Sequence, residues 1–94
     1  MPTIVRNLNI HGRVQGVGFR MFVESAAHRL GVTGWVRNMG RDSVEAVAEG
    51  VREKVEAFIE QMKAGPRGAR VDDARVEWEE VTGEFMAFDV KRSG

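Results

Sequence analysis

The residues best suited to chemistry lie in one glycine-rich segment, residues 12–20. Gly16 and Gly18 permit positive φ angles, so that successive backbone N–H groups can turn inward and form a concave nest for an anion. A helix that begins here would add its free N–H groups and its dipole. Arg20 adds a planar guanidinium group that matches two phosphate oxygens. These three contributions converge on one small anion.

The same glycines also fit a purely structural interpretation, in which they form a tight turn between a strand and a helix and Arg20 lies on the surface. The glycine pattern alone does not decide between the two interpretations. It does argue against a nucleoside triphosphate as the ligand. No Lys-Ser/Thr pair follows the glycines, as it would in a Walker motif, and the GxGxxG spacing of dinucleotide-binding loops is absent.

The composition excludes several other kinds of site. The 94 residues include no Cys and only two His, His11 and His28, neither with an identifiable carboxylate partner. This argues against disulfides, a cysteine nucleophile, a zinc site and a histidine base. Hard cations need clustered carboxylates, which the glycine-rich segment lacks, so we expect no metal and no cofactor. No apolar run approaches the roughly 20 residues of a membrane span, so we expect a cytoplasmic protein without membrane contact.

The net charge of zero conceals two unlike halves. Residues 1–43 carry six arginines against Glu24 and Asp42, an excess of four positive charges. Residues 44–94 carry 8 basic and 12 acidic residues, an excess of four negative charges. A bulk polyanion binder would be strongly basic, so we expect no nucleic acid as a partner. The positive half suits one small anion.

The elements around the glycine-rich segment follow from hydrophobic spacing. Apolar residues at three- and four-residue steps predict a first helix over residues 19–30 that ends at Gly31. Alternating or β-branched stretches predict strands, with a hairpin turn at residues 39–42. The predicted strands are residues 4–14, 32–38, 43–50, 70–81 and 86–90. The second helix precedes Gly65 and Pro66, and its predicted apolar stripe is Val51, Val55, Phe58, Ile59 and Met62.

This order, β-α-β-β-α-β with one short extra strand at the C-terminal end, predicts an α+β, ferredoxin-like sandwich in one domain over residues 1–94. The sheet is expected to be mostly antiparallel, with both helices on one face. The other face would be open to solvent, where Glu77 and Glu79 point. We place Phe19, Phe22 and Trp35 in the core.

Two segments together resemble the acylphosphatase family, small enzymes that hydrolyse the carboxyl–phosphate bond of acyl phosphates. They are Gly-Arg-Val-Gln-Gly-Val-Gly-Phe-Arg at residues 12–20 and Gly-Val-Thr-Gly-Trp-Val-Arg-Asn at residues 31–38. The similarity continues at residues 44–50, 65–66 and 88–90. It implies a ferredoxin-like fold, a catalytic arginine at Arg20 and a catalytic asparagine at Asn38. It also implies a phosphate cradle, whose residues are Gln15, Gly16, Val17, Gly18, Phe19 and Arg20.

The resemblance also implies a chemistry for these two residues. Arg20 would bind the phosphoryl group and stabilise its charge, while Asn38 would orient the attacking water, since an amide is a poor general base. The expected partners are a small acyl phosphate as substrate and inorganic phosphate as product and competitor, with no metal ion and a monomeric protein. Without the glycine-rich segment, Asn38 would be read as a turn residue that ends a strand.

One position departs from the family pattern. Family members often carry Asp-Gly in the turn after the asparagine, whereas this chain has Arg41-Asp42 and its glycine at Gly40. The departure concerns the geometry of the turn and leaves Arg20 and Asn38 in place.

Two other functions remain open at this stage. The first is a non-enzymatic anion-binding module, such as the acylphosphatase-like domains found within larger maturation proteins. We expect this chain to be complete as a small domain, and this expectation favours the enzyme. The second is an RNA-binding sheet, which needs exposed aromatic and basic residues on its open face. The expected presence of Glu77 and Glu79 there argues against it.

Overall fold

The computed structural model describes residues 2–15, 18–80 and 86–91, with side chains described over 8–15, 18–78 and 86–91. The order of elements agrees with the predicted one, including the short last strand. Their bounds are β1 Pro2–Arg13, α1 Phe19–Leu30, β2 Thr33–Met39, β3 Ser43–Val51, α2 Arg52–Ala64, β4 Arg70–Glu80 and β5 Phe88–Val90.

The strands form a single sheet in the order β4-β1-β3-β2-β5. β1 pairs antiparallel with both β3 and β4, and β2 pairs antiparallel with β3, whereas β5 pairs parallel with the edge of β2. Buried side chains from both helices and from the sheet form one core, so α1 and α2 cover the same face. The predicted ferredoxin-like α+β fold is therefore confirmed.

Helix α1 packs through one narrow stripe. Its buried residues are Phe19, Val23, Ala26 and Ala27, at the three- and four-residue spacing that the sequence predicts. The helix ends where Gly31 takes a left-handed conformation, with φ 73°, and donates its backbone N–H to the carbonyl of Ala27. The bounds of α1 agree with the prediction at both ends.

The predicted apolar stripe of α2 is wrong at one position. Val55, Phe58, Ile59 and Met62 are buried as predicted. Val51 is 54% exposed and belongs to β3, where its backbone is extended and pairs with Pro2 at the end of the sheet. The helix begins only after Val51, so its side chain never turns toward the core.

The open face of the sheet is less exposed than predicted at its centre. β3 lies between β1 and β2, so neighbouring side chains cover Val47 and Glu49, which are 4% and 7% exposed. Glu77 on β4 is exposed, as predicted, and the side chain of Glu79 lies outside the described residues.

The placement of Trp35 in the core is also wrong. Val36 is fully buried beneath the helices, and side chains alternate along a strand, so Trp35 lies on the open face opposite Val47. The Arg37 guanidinium and the Lys91 ammonium lie 5.2 and 4.9 Å from the centre of its ring. Of the other two aromatic residues assigned to the core, Phe19 is buried and Phe22 packs against the core from its edge.

Candidate functional site

The glycine-rich segment forms the connection between β1 and α1. Gly16 and Val17, two residues of the predicted cradle, lie outside the described residues. Gly18 precedes the helix in the left-handed conformation, with φ 73° and ψ 23°. Its carbonyl accepts a hydrogen bond of 3.0 Å from the backbone N–H of Phe22, the first bond of the helical turn. The N–H groups of the first helical residues therefore precede the intrahelical ladder and remain available at the start of α1.

A pocket of about 210 Å³ opens beside this helix start. It combines residues from the connection, from the first turn of α1 and from the end of β2. The fold thus brings Asn38 to the same pocket as Arg20, although 18 positions separate them in the chain. The lining residues are Val14, Gln15, Gly18, Phe19, Arg20, Met21 and Asn38.

Asn38 reaches the pocket because of its position in β2. It pairs with Val44, which is fully buried on the helix-covered face, so the Asn38 side chain leaves the strand on the side where α1 begins. It makes no side-chain hydrogen bond within the part of the chain that the structure describes. Its amide therefore keeps both donor and acceptor capacity for a molecule in the pocket.

Arg20 is positioned by the last strand. Its guanidinium Nη1 lies 3.4 Å from the backbone carbonyl oxygen of Lys91, directly after β5. The backbone N–H of Lys91 donates in turn to the carbonyl of Val36 on β2, at 2.8 Å. The short C-terminal strand thus links the guanidinium to the central part of β2, a few residues before Asn38.

The side chain of Gln15 contacts the turn between β2 and β3. Its Nε2 atom donates to the backbone carbonyls of Gly40 and Ser43, each at 3.0 Å. The amide protons therefore bind the turn between β2 and β3. Gln15 lines the pocket and also fastens the β1–α1 connection to the turn that follows Asn38.

The turn between β2 and β3 accommodates the Arg41-Asp42 departure through its displaced glycine. Gly40 has φ 63°, a left-handed conformation that glycine adopts without strain. Arg41 and Asp42 are exposed, and the carbonyl of Asp42 accepts a hydrogen bond of 2.9 Å from the backbone N–H of Gly12. The turn is thus tied to β1 as well as to Gln15.

Among the described residues, the charged groups other than Arg20 do not line the pocket. Arg37 lies on the open face, where its guanidinium is 2.7 Å from the carboxylate of Glu45. His11 does not line the pocket, and its Nδ1 lies 3.1 Å from the hydroxyl oxygen of Ser43. The same nitrogen lies 3.6 Å from a carboxylate oxygen of Asp42, so the expectation that His11 has no carboxylate partner is wrong. The described residues contain no group of three or more His, Cys, Asp or Glu side chains placed to hold a metal ion. The same residues contain no helix that is long and apolar enough to span a membrane.

Sequence reasoning missed three contributors to this site, namely Val14 and Met21 in the lining and Lys91 beside Arg20. Met21 could have been found, since the helical period places it off the apolar stripe and directly beside Arg20. Lys91 contacts Arg20 through its backbone carbonyl and lies 71 positions away in the chain. Every residue has such a carbonyl, so the identity of residue 91 could not have predicted this contact.

Comparison with known proteins gives consistent results along the chain. The family model described as Acylphosphatase matches residues 6–90. An acylphosphatase of Pyrobaculum islandicum is 50% identical over 92 residues, which cover 96% of each chain. Among solved structures, the acylphosphatase from Bacillus subtilis superposes with a TM-score of 0.88 at 33% identity, covering 97% of this chain and 99% of that one.

A second kind of similar structure is a much longer protein. Full-length HypF, solved in a phosphate- and nucleotide-bound form, matches with a TM-score of 0.84 and 34% identity. The match covers 99% of this chain but only 12% of HypF. The same fold therefore occurs both as a small protein and as part of a larger one.

Proposed function

This chain belongs to the acylphosphatase family, and on that basis we propose that it hydrolyses small acyl phosphates to a carboxylate and inorganic phosphate. The observation that carries the proposal is the shared pocket of Arg20, Gly18 and Asn38. Its volume of about 210 Å³ is below the roughly 300–1,000 Å³ of sites for drug-sized ligands. A phosphoryl group suits a pocket of this size.

The phosphoryl group is bound by backbone N–H groups of residues 15–20 and by the guanidinium of Arg20. The left-handed Gly18 and the start of α1 support this role, because N–H groups ahead of a helix carry partial positive charge. The contact from Arg20 to the Lys91 carbonyl supports the role of the arginine, since it limits the positions of the guanidinium before substrate binds. Positive charge for the reaction thus comes from the protein chain, without a metal ion.

Asn38 orients the attacking water. The water oxygen forms a bond to phosphorus while the bond from phosphorus to the acyl oxygen breaks, and its electron pair leaves with the carboxylate. One water proton passes to a phosphate oxygen of the substrate, so the amide of Asn38 never has to act as a base. A carboxylate is a good leaving group, so positioning and charge stabilisation supply most of the catalysis.

The open face of the sheet favours this function over RNA binding. Recognition of RNA on such a sheet needs exposed aromatic and basic side chains. Trp35 does lie on this face, but the neighbouring Arg37 is paired with Glu45 at 2.7 Å. Glu77 adds exposed negative charge on β4. A small phosphate compound in the pocket remains the better ligand.

The proposal is tested by measuring phosphate release from benzoyl phosphate in the presence of a metal chelator. A phosphate monoester, p-nitrophenyl phosphate, serves as the control substrate. We expect turnover of benzoyl phosphate, little turnover of the monoester, and competitive inhibition by inorganic phosphate. A folded protein that binds phosphate without turnover would instead support an anion-binding module and refute the enzymatic proposal.

A further inference from the structure

Met21 is an apolar side chain that the fold does not bury. It is 72% exposed, whereas Phe19 and Val23, two positions before and after it, are 2% and 0% exposed. Met21 lies two positions after Phe19, which places it about half a turn away from the buried stripe of α1. The core therefore gains nothing from a methionine at this position.

The position of Met21 at the pocket allows its side chain to contact a bound molecule. Met21 lines the pocket together with Val14 and Phe19, but those two residues are 1% and 2% exposed and offer almost no free surface. Gly18, which also lines the pocket, has no side chain, and a Cβ added there would meet nothing within 4 Å. Among the described lining residues, Met21 thus provides the accessible apolar surface, next to open space.

The polar lining side chains have other tasks. Gln15 donates its amide protons to the carbonyls of Gly40 and Ser43, and Arg20 is assigned to the phosphoryl group. Asn38 is assigned to the water, which attacks phosphorus from the side opposite to the leaving group. The acyl group must then lie away from Asn38. Met21 enters the pocket from α1 rather than from β2, where Asn38 is located.

We propose that Met21 binds the acyl group of the substrate and makes the enzyme prefer acyl phosphates with an aromatic or longer aliphatic acyl group over acetyl phosphate. The inference rests on the proposed hydrolysis of acyl phosphates. The thioether is flexible and polarisable, so it can pack against an aromatic ring or an alkyl chain. An acetyl group has one methyl group for such a contact and gains little from it.

The preference is measured as the ratio of kcat/KM for benzoyl phosphate to that for acetyl phosphate. Met21→Ala is expected to lower this ratio about tenfold, in the range of discrimination by apolar contact of one or two methylene groups. Met21→Leu keeps an apolar side chain and should retain most of the ratio. Met21→Gln keeps the length of the side chain but not its apolar character, and it should lower the ratio as much as Met21→Ala does.

Two controls separate this contact from general effects. Met86 is 97% exposed and does not line the pocket, so Met86→Ala should leave the ratio unchanged. The inhibition constant of inorganic phosphate reports on the cradle alone and should change less than twofold in Met21→Ala. A structural defect in the start of α1 would instead weaken phosphate binding.

The outcomes distinguish this inference from the function on which it rests. If the wild-type enzyme hydrolyses both substrates and Met21→Ala leaves their ratio unchanged, the role of Met21 is refuted and the proposed function stands. If the ratio falls equally in Met21→Ala and Met21→Leu, an apolar contact is refuted as its cause. If the wild-type protein hydrolyses neither substrate, both the inference and the proposed function fail.

Discussion

The side-chain amide of Gln15 donates a hydrogen bond of 3.0 Å to the backbone carbonyl of Gly40. The same nitrogen lies 3.0 Å from the carbonyl of Ser43, so one side chain bridges both ends of the turn between β2 and β3. Asn38 stands two residues before this turn. Gln15 thereby joins the part of the pocket proposed to hold phosphate to the part proposed to hold water.

Replacing Gln15 should therefore affect both stability and substrate binding. Gln15→Ala removes two neutral hydrogen bonds and is expected to lower the free energy of unfolding by about 1–3 kcal/mol. It should also raise the KM for benzoyl phosphate, because the connection is no longer fastened to the turn. Urea unfolding and steady-state kinetics measure the two effects. Gln61→Ala on α2, outside the pocket, is the matched control, and equal behaviour of the two variants would contradict the bridging role.

Arg20→Ala should weaken phosphate binding and turnover together. The guanidinium is proposed to bind the phosphoryl group both before and during bond cleavage, and the loss of such a preorganised donor commonly lowers the rate about 10²–10³-fold. The measurements are kcat/KM and the inhibition constant of inorganic phosphate. Arg29→Ala is the control, since Arg29 is exposed near the other end of α1. An unchanged phosphate inhibition constant in Arg20→Ala would refute its binding role.

Asn38→Ala should separate turnover from binding. The amide is proposed to hold water rather than phosphate, so kcat should fall about 10²–10³-fold while the inhibition constant of phosphate changes only a few-fold. Asn38 lies at the edge of the core beside buried Val44, so urea unfolding serves to show that the variant remains folded. A normal kcat in the folded variant would rule out the proposed orientation of water.

The turn that carries the Arg41-Asp42 departure depends on Gly40. Its φ of 63° is a left-handed conformation, although a Cβ there would meet no atom within 4 Å. Gly40→Ala should thus destabilise the protein through backbone conformation alone, by about 1–2 kcal/mol. Gly40→Asn should cost less, because Asn tolerates this region better than Ala. Thermal or urea unfolding of both variants measures their stability. An equal loss of stability in Gly40→Ala and Gly40→Asn would contradict this prediction.

Two valines near the junction of β3 and α2 offer a matched test of the packing. Val55 is fully buried, and Val55→Ala should lower the free energy of unfolding by about 2 kcal/mol through lost apolar burial and a small cavity. Val51 is 54% exposed at the end of β3, and Val51→Ala should change the free energy of unfolding by no more than about 0.5 kcal/mol. Similar losses in the two variants would show that Val51 packs as part of the helix stripe after all.

Local patterns predicted most of the fold. The spacing of Phe19, Val23, Ala26 and Ala27 is a property of neighbouring residues, so it located α1 correctly at both ends. The same kind of pattern failed at Val51, where the strand passes directly into the helix and an apolar residue fits either period. It also failed at Trp35, because alternation divides a strand into two faces without indicating which face the helices cover.

By itself, the sequence determined the order of elements and the residue types of the site: the glycine-rich connection, Arg20 and Asn38. Only the tertiary structure decided that Asn38 shares a pocket with Arg20, that Gln15 binds the carbonyl of Gly40, and that the Lys91 carbonyl meets the arginine. The physical reason is the range of the interactions. Backbone conformation and amphipathic spacing depend on neighbours in the chain, whereas these contacts join distant segments and exist only once the sheet and its helices have packed.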